Sequence, residues 1–182
     1  AFLTHQQIVY ILGTAACLLY FIEQIRINYP EFSKRFTLLG KYLLRAEEQI
    51  KESAAIPYAM AILLTILTFP QTIAVGAILT LAIADPLSAI IGIRFGKRRV
   101  VPNKSLEGSV AFMLATFCCL SYVLMDAEGI FTWQIGMVAF LVSFCCALFE
   151  MIPLRVDDNL TIPLFTAFML AIFSWFFELT II

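Results

Sequence analysis

The sequence has little charge for its length, and this shortage excludes several classes of protein. Charged residues make up only 14% of the 182 residues, whereas hydrophobic residues make up 62%. An ordinary soluble domain has about 25% charged and about 45–50% apolar residues. A water-soluble globule of this size could not bury so much apolar surface. Soluble enzymes, secreted disulfide modules, disordered tails and nucleic-acid binders are therefore excluded, and a polytopic membrane protein remains.

Histidine and cysteine offer no catalytic or metal-binding pattern. His5 is the single histidine and lies far from the basic residues, which argues against histidine acid–base chemistry. No cysteine has metal-ligand spacing, so we expect small apolar thiols inside spans at Cys17, Cys118, Cys119, Cys145 and Cys146. The formal net charge of -1 gives no bulk attraction to nucleic acid.

Long apolar runs are what the sequence has in abundance. A spanning helix needs about 20 mostly apolar residues. Six candidate spans lie at 7–25, 55–69, 71–93, 108–125, 131–151 and 160–180, of which the second is short. We therefore predict one all-α domain over 1–182 that is embedded in the membrane, so that the lipid bilayer is one of its partners. The chain begins at Ala1 rather than methionine, which is consistent with a longer natural N-terminus.

The segment 30–53 has a different pattern from the spans. Its apolar residues recur at steps of four and three, which draws one helical face, while charged residues occupy the other faces. Charge this dense crosses lipid only at high cost, so we predict an amphipathic helix that lies in the membrane interface. A solvated hairpin arm is the alternative.

Basic residues indicate the orientation of the spans. With six crossings, the segments 26–54, 94–107 and 152–159 lie on one side and hold all 12 lysine and arginine residues. The opposite segments, near 70 and over 126–130, hold none. The positive-inside rule makes the basic side cytoplasmic, and most of the polar chemistry lies on that side.

Asp85 lies well inside the third span, where carboxylates are costly and usually functional. Ser88, Ala89 and Gly92 follow it at helical spacing and share its face. Such a stripe of small residues lets a neighbouring helix or a ligand approach closely. The alternatives for Asp85 are a pair with a buried arginine or the capping of a helix broken at Pro86.

A basic, glycine-containing stretch, 92–109, runs from the end of this span to the start of the next. Lys104 and Ser105 stand at the N-terminus of the fourth span, whose free N–H groups and positive dipole end favour a phosphate. Gly108 in the first turn lets a phosphate approach the backbone. For Arg98 and Arg99 alone, an anchor for anionic headgroups is the favoured alternative. The soluble P-loop pattern is absent.

A third cluster is acidic and lies between the last two spans. Glu150 ends one face of the fifth span, and Asp157 and Asp158 precede the sixth, where one of them would cap the helix. Carboxylates completed by substrate phosphates are how Mg²⁺ is held in nucleotide sites. Phosphate-binding cations and metal-binding anions on one surface indicate phosphoryl or nucleotidyl transfer.

Together these blocks resemble the signatures of the CTP-dependent lipid kinase family. That family groups dolichol kinase, phytol kinase and the CTP-dependent diacylglycerol kinase, and it is similar to phosphatidate cytidylyltransferase. The matching blocks are 84–97, 104–109 and 157–163, and they occur in family order. Members often have glycine where this chain has Ala84, and they usually carry an earlier helix with an Arg-Lys and His pattern that has no match here.

The resemblance implies CTP-dependent phosphorylation, with Mg²⁺ as cofactor, of a membrane lipid alcohol such as polyprenol or dolichol, phytol or diacylglycerol. The reaction would occur at the cytoplasmic face of a cell (inner or plasma) membrane or of an ER-type membrane. The implied catalytic residues are Asp85, Lys104 and Glu107. The implied CTP-binding residues are Arg94, Gly96, Lys97, Lys104, Ser105 and Gly108. The implied metal ligands are Asp85, Glu107, Asp157 and Asp158, with support from Ser88, Gly92, Glu150 and Asn159.

Two other functions remain open from the sequence. A cytidylyltransferase would bind the same Mg²⁺–CTP but would form a CDP-lipid. A transporter or membrane scaffold would have no nucleotide chemistry, and Asp85 would then relay protons. Within the kinase hypothesis, Asp85 is the residue that we expect to act as general base.

Overall fold

Helices make up most of the described chain because a backbone in the bilayer must satisfy its own hydrogen bonds. The computed structural model describes residues 4–28, 55–101, 104–153 and 156–179. Its helices are α1 (His5–Asn28), α2 (Ala55–Thr68), α3 (Gln71–Leu79), α4 (Asp85–Phe95), α5 (Leu106–Glu128), α6 (Trp133–Glu150) and α7 (Asp158–Phe176). A π-helical segment, Thr80–Ala84, joins α3 to α4, so that the helix runs without a break from Gln71 to Phe95.

The all-α polytopic fold predicted from the sequence is confirmed. Within the described residues, five helical segments are long and apolar enough to cross a membrane: Gln6–Ile25, Gln71–Phe95, Leu106–Glu128, Trp133–Glu150 and Asp158–Phe176. The remaining predicted span is α2, whose 14 residues reach only about 21 Å at 1.5 Å per residue. That length is shorter than a hydrocarbon core of about 30 Å. The helix predicted over 30–53 lies outside the described residues.

The chain divides into two compact units, 1–63 and 64–182. In the first unit, α1 exposes large apolar side chains such as Tyr10, Phe21 and Ile22, as a helix surrounded by lipid does. The second unit holds the helices α3 to α7 and every polar cluster singled out above except the segment 30–53. The expectation of one domain over the whole chain stays a prediction.

The core of the second unit is built around α5. This helix packs against α4, α6 and α3, and α7 packs against α6 and α3. The largest fully buried apolar side chains come from all of these layers except α4, and they are Ile73, Leu81, Phe112, Leu120, Leu124, Ile135, Val138, Val142 and Leu170. Close packing of these groups fixes the relative positions of the helix ends that carry the polar residues.

The helix ends in this unit are capped by their own sequence. Ser105 Oγ accepts a hydrogen bond from the Gly108 N–H (3.1 Å) at the start of α5. Thr132 does the same for α6, and the Asp157 carboxylate accepts from the Asn159 N–H (2.9 Å) at the start of α7. Gly129, with φ of 78°, ends α5 in the left-handed region that glycine adopts without strain.

The basic stretch between α4 and α5, which we predicted as a loop, contains a two-stranded antiparallel ribbon. Its strands are β1 (Arg99–Val101) and β2 (Lys104–Ser105), with Arg99 opposite Ser105. The ribbon continues into α5, because the Leu106 N–H donates to the Arg98 carbonyl (3.0 Å). Lys104 and Ser105 are thereby held at the first turn of α5.

Candidate active site

A cavity of about 240 Å³ lies within the second unit, between α4, the end of α6 and the starts of α5 and α7. Eight of the residues predicted for the site line it: Asp85, Ser88, Gly92, Lys104, Ser105, Gly108, Glu150 and Asp158. Three stretches that are distant in sequence therefore meet at one place, as the functional prediction requires.

Lys104 connects two of these stretches. Its ammonium Nζ lies 2.7 Å from Asp158 Oδ2 and 3.5 Å from Glu150 Oε1. It also donates a hydrogen bond to the Glu150 backbone carbonyl at the end of α6. A lysine is a compact point charge with three donors, and here two of them hydrogen-bond to the Glu150 carbonyl and to Asp158. The cavity therefore has a fixed cation between two carboxylates.

Glu150 is a buried carboxylate whose partners are arranged on both sides. Glu150 is only 8% exposed, and a buried charge must be paired or hydrogen-bonded. Lys104 lies near Oε1, and Ser109 Oγ donates to Oε2 at 3.0 Å. Ser109 is itself buried, one turn after Ser105 on α5. These contacts hold the end of α6 against the start of α5.

Glycines bring α4 and α5 into close contact beside the cavity. A Cβ on Gly108 would lie 3.0 Å from the Ser88 carbonyl oxygen and 3.3 Å from the Gly92 Cα. A Cβ on Gly92 would lie 3.0 Å from Ser105 Oγ. Side chains at these two positions would therefore push the helices apart. The small-residue stripe predicted on α4 is used for this contact as well as for lining the cavity.

Asp85 begins α4, directly after the π-helical segment. Such segments are rare inside helices and frequently occur at functional sites. The Ser88 hydroxyl donates to the Asp85 backbone carbonyl (2.9 Å), which leaves the carboxylate for other partners. Asp158, Glu150 and Lys104 lie close enough to Asp85 to interact with it electrostatically. The membrane-embedded carboxylate and the acidic cluster before α7 thus share one cavity.

Two predicted metal ligands lie outside the cavity lining and have structural partners. Both carboxylate oxygens of Glu107 accept from the Arg98 backbone N–H at 3.3 Å, which ties the loop before β1 to the first turn of α5. Asp157 caps α7 by accepting from the Asn159 N–H, which is the role expected for one residue of the acidic pair. The metal-binding role of Glu107 and Asp157 stays a prediction.

Three predicted nucleotide-binding residues also lie outside the lining. The Arg94 guanidinium lies over the Phe95 ring at 5.6 Å, and both Arg94 and Lys97 are exposed. Gly96 ends α4 where a Cβ would meet Ser105 Cβ at 2.7 Å, so its place is explained by chain packing. Asn159, predicted as a supporting residue, contributes its backbone N–H to the Asp157 cap.

Sequence reasoning missed two polar residues that line the cavity, Ser109 and Arg99. Ser109 lies in the first turn of α5, four residues after the capping Ser105, and this short spacing in the sequence could have identified it. Arg99 was assigned with Arg98 to a headgroup anchor. No sequence signal distinguishes Arg99 from Arg98, because it is the β1–β2 ribbon that places Arg99 at the cavity.

Comparison with curated proteins finds relatives along most of the chain. The CTP-dependent diacylglycerol kinase 1 of Schizosaccharomyces pombe is 30% identical over 81% of this chain and 72% of its own length. The protein of that name from Saccharomyces cerevisiae is 25% identical over 96% of this chain and 67% of its own length. The chain belongs to the CTP-dependent lipid kinase family. It is therefore a transferase and, with its apolar helices, an integral membrane protein.

Membership in the CTP-dependent lipid kinase family confirms the resemblance read from the three blocks. A further member, the probable phytol kinase 2, chloroplastic, of Oryza sativa subsp. japonica, is 31% identical over 71% of this chain. The chain spans about half the length of that rice protein, at 50%. No protein-family model matches the sequence. No solved structure matches it either.

The donor set of the cavity suits a metal ion that is bound together with a nucleotide. Among the described residues, no group of three or more His, Cys, Asp or Glu side chains is arranged to hold a metal ion. Mg²⁺ in nucleotide enzymes commonly takes one or two carboxylates and completes its shell with phosphate oxygens and water. Asp85 and Asp158 provide two such carboxylates in one cavity.

The charge of the cavity also suits a nucleotide that is bound together with a metal ion. Three carboxylates line it, from Asp85, Glu150 and Asp158, against the two cations of Arg99 and Lys104. A triphosphate alone would meet net repulsion from such a lining. A triphosphate that carries a divalent cation would bring the positive charge that the cavity lacks.

Proposed function

We propose that this protein transfers the γ-phosphate of CTP to the hydroxyl of a membrane lipid alcohol, at the cytoplasmic face and with Mg²⁺. The observation that carries the proposal is the meeting of Asp85, Lys104 and Asp158 in one cavity. In phosphoryl transfer there is little covalent chemistry for a protein to perform, and catalysis is mostly positioning and charge neutralisation. A cavity with a fixed cation and two carboxylates provides both.

The named activities of the relatives support the choice of donor and acceptor. Two of them are CTP-dependent diacylglycerol kinases, and this chain covers 72% and 67% of their lengths. This chain covers 50% of the length of the rice phytol kinase. CTP is therefore the donor that we propose, and diacylglycerol is the first acceptor to test, ahead of phytol and polyprenol.

The triphosphate would bind at the N-terminus of α5. Lys104 offers an ammonium and Arg99 a guanidinium, while Ser105 and the first N–H groups of α5 offer donors at the positive end of a helix dipole. A cavity of about 240 Å³ is smaller than the roughly 300–1,000 Å³ of pockets that enclose whole ligands. It accordingly suits the phosphates, with the nucleoside outside.

The chemical step would place the acceptor hydroxyl in line with the γ-phosphorus. The hydroxyl oxygen forms a bond to that phosphorus, the bond to the bridging oxygen breaks, and CDP leaves. Asp85 is the group that we assign to accept the hydroxyl proton. Mg²⁺, when bound, would neutralise charge on the phosphates, with Asp85 and Asp158 as its protein ligands; a carboxylate has two oxygens and can serve both tasks.

The cytoplasmic location rests on charge. All basic residues are placed by the six-span interpretation on the side that also carries Lys104, Glu150 and Asp158. The positive-inside rule makes that side cytoplasmic, where CTP and Mg²⁺ are available from water.

The decisive test is where the label of CTP goes. Purified protein in lipid nanodiscs is incubated with Mg²⁺ and CTP labelled at either the γ- or the α-phosphate, together with a panel of lipid alcohols or, in a parallel reaction, with phosphatidate. We expect γ-label on the lipid and α-label on CDP. A CDP-lipid and released pyrophosphate would instead indicate a cytidylyltransferase. Transport without nucleotide binding would indicate the non-enzymatic alternative, and protection by CTP against thermal unfolding would count against it.

A further inference from the structure

The cavity has two unlike walls. One wall is polar and is formed by Lys104, Glu150 and Asp158 with the start of α5. The other is an apolar wall formed by Ala89 and Ile93 of α4, next to Asp85, Ser88 and Gly92 of the same helix. The function proposed above uses the polar wall. The apolar wall has no task in holding CTP or the metal.

The apolar wall is an exposed side of the cavity, and the lining residue Arg99 is exposed as well. Ile93 is 88% exposed and Ala89 is exposed, whereas Ser88, Ser105 and Glu150 are buried. Ala89 and Ile93 both lie in Gln71–Phe95, a segment that is long and apolar enough to cross the membrane. An exposed apolar side chain on such a segment faces hydrocarbon rather than water. Exposed apolar residues at its edge are what a cavity that opens sideways, toward the bilayer, requires.

The two walls together match an amphiphile with a hydroxyl head. Ala89 has only a methyl side chain, so a hydrocarbon chain can lie against α4 at that height. Asp85 and Ile93 are eight residues apart, or about 12 Å along the helix axis. A molecule whose chain lies over Ala89 and Ile93 can thus direct its hydroxyl toward the carboxylates and the cation of the polar wall.

We propose that Ala89 and Ile93 form the acceptor-binding wall, where the hydrocarbon next to the hydroxyl of the lipid alcohol lies after entry from the bilayer. This inference rests on the proposed function and adds the substrate surface to it. A cytosine ring is a poor occupant, because it arrives from water and requires hydrogen-bond partners that an apolar wall facing the bilayer lacks.

The test compares two tryptophan substitutions on one helix. Ile93→Trp places a bulky ring in the cavity mouth, and Ile90→Trp is the matched control. Ile90 is 60% exposed, lies on the same helix and is outside the lining. In nanodiscs with graded diacylglycerol, we expect Ile93→Trp to raise the KM for diacylglycerol by about tenfold or more, with CTP protection against unfolding unchanged. Ile90→Trp should behave as the wild type.

Two results would overturn the proposal: an unchanged KM for diacylglycerol in Ile93→Trp, or a loss of CTP binding with the KM for diacylglycerol unaltered. Because a tryptophan variant can fail to fold, wild-type protein is also labelled with a diacylglycerol that carries a diazirine close to its glycerol. We expect labelling within 85–95 that excess plain diacylglycerol prevents. Competable labelling confined to other helices would contradict the proposal. If the wild type forms no phosphorylated lipid at all, the proposed function fails separately.

Discussion

At the scale of single residues, Lys104 is the side chain on which the cavity depends. It joins the end of α6 to the start of α7 through Glu150 and Asp158. Because the Asp158 side chain is 40% exposed, this ion pair is worth at most about 1 kcal/mol to folding. The pair is therefore weak enough for Lys104 to exchange Asp158 for a phosphate, which frees the carboxylate for a metal ion.

Replacing Lys104 should remove catalysis. In Lys104→Ala the cavity loses its fixed cation, and we expect kcat to fall by about 10²–10³-fold, as when one preorganised donor is removed from other active sites. Arg98→Ala is the control, because Arg98 lies outside the cavity lining and the substitution keeps the backbone N–H that donates to Glu107. Turnover of γ-labelled CTP checks both variants. Wild-type turnover in Lys104→Ala would mean that the phosphates bind elsewhere.

Ser109 should contribute to the stability of the protein through its hydrogen bond with Glu150. Ser109→Ala removes the hydrogen bond to a buried carboxylate oxygen, and we expect a loss of about 1–3 kcal/mol in the free energy of unfolding. Ser121→Ala, on the same helix, is the control, because the Ser121 hydroxyl meets no hydrogen-bond partner within the described part of the chain. Thermal unfolding in detergent compares the two. Equal midpoints for both variants would show that the Ser109–Glu150 contact contributes nothing.

At the scale of helices, the start of α5 serves both folding and binding. Ser105 caps the helix, and the same N-terminus is where we propose that the triphosphate binds. A cap of this kind is worth about 1 kcal/mol. The start of α6 offers a comparison, since Thr132 caps that helix at the end opposite to Glu150 and the cavity.

Removing the two caps should therefore have different effects on CTP binding. We expect Ser105→Ala and Thr132→Ala each to lower the free energy of unfolding by about 1 kcal/mol. Only Ser105→Ala should also weaken protection by Mg²⁺–CTP, because of these two helix starts only that of α5 borders the cavity. The measurement is the unfolding midpoint of each variant with and without Mg²⁺–CTP. The same loss of protection in both variants would refute a phosphate site at α5.

Helices were also the level at which the sequence was most informative. The spans predicted at 71–93 and 131–151 correspond to Gln71–Phe95 and Trp133–Glu150, because an apolar run in lipid has few alternatives to a helix. The β1–β2 ribbon and the contacts of Lys104 with Glu150 and Asp158 were not predictable in detail. Those partners lie 46 and 54 residues further along the chain, and their meeting depends on helix packing that periodicity within one helix does not specify.

At the scale of the whole molecule, charge asymmetry predicts the orientation of the spans. We expect the loop after α4 to face the cytosol and the loop after α5 to face outward. A membrane-impermeant maleimide added to intact cells should label Ile130→Cys but not Lys97→Cys until the membrane is opened. The native cysteines lie in the predicted spans, where a water-soluble maleimide has little access to them. The reverse labelling pattern would place the cavity on the wrong side for cytosolic CTP.

The central claim is that residues from three separate stretches hold one Mg²⁺–CTP unit in one cavity. The most direct measurement is the protection of purified protein against thermal unfolding by CTP, with and without Mg²⁺, in the wild type, Asp85→Asn and Asp158→Asn. We predict that Mg²⁺ increases the protection of the wild type and that each substitution removes this increase. An undiminished Mg²⁺-dependent increase in both variants would contradict the account.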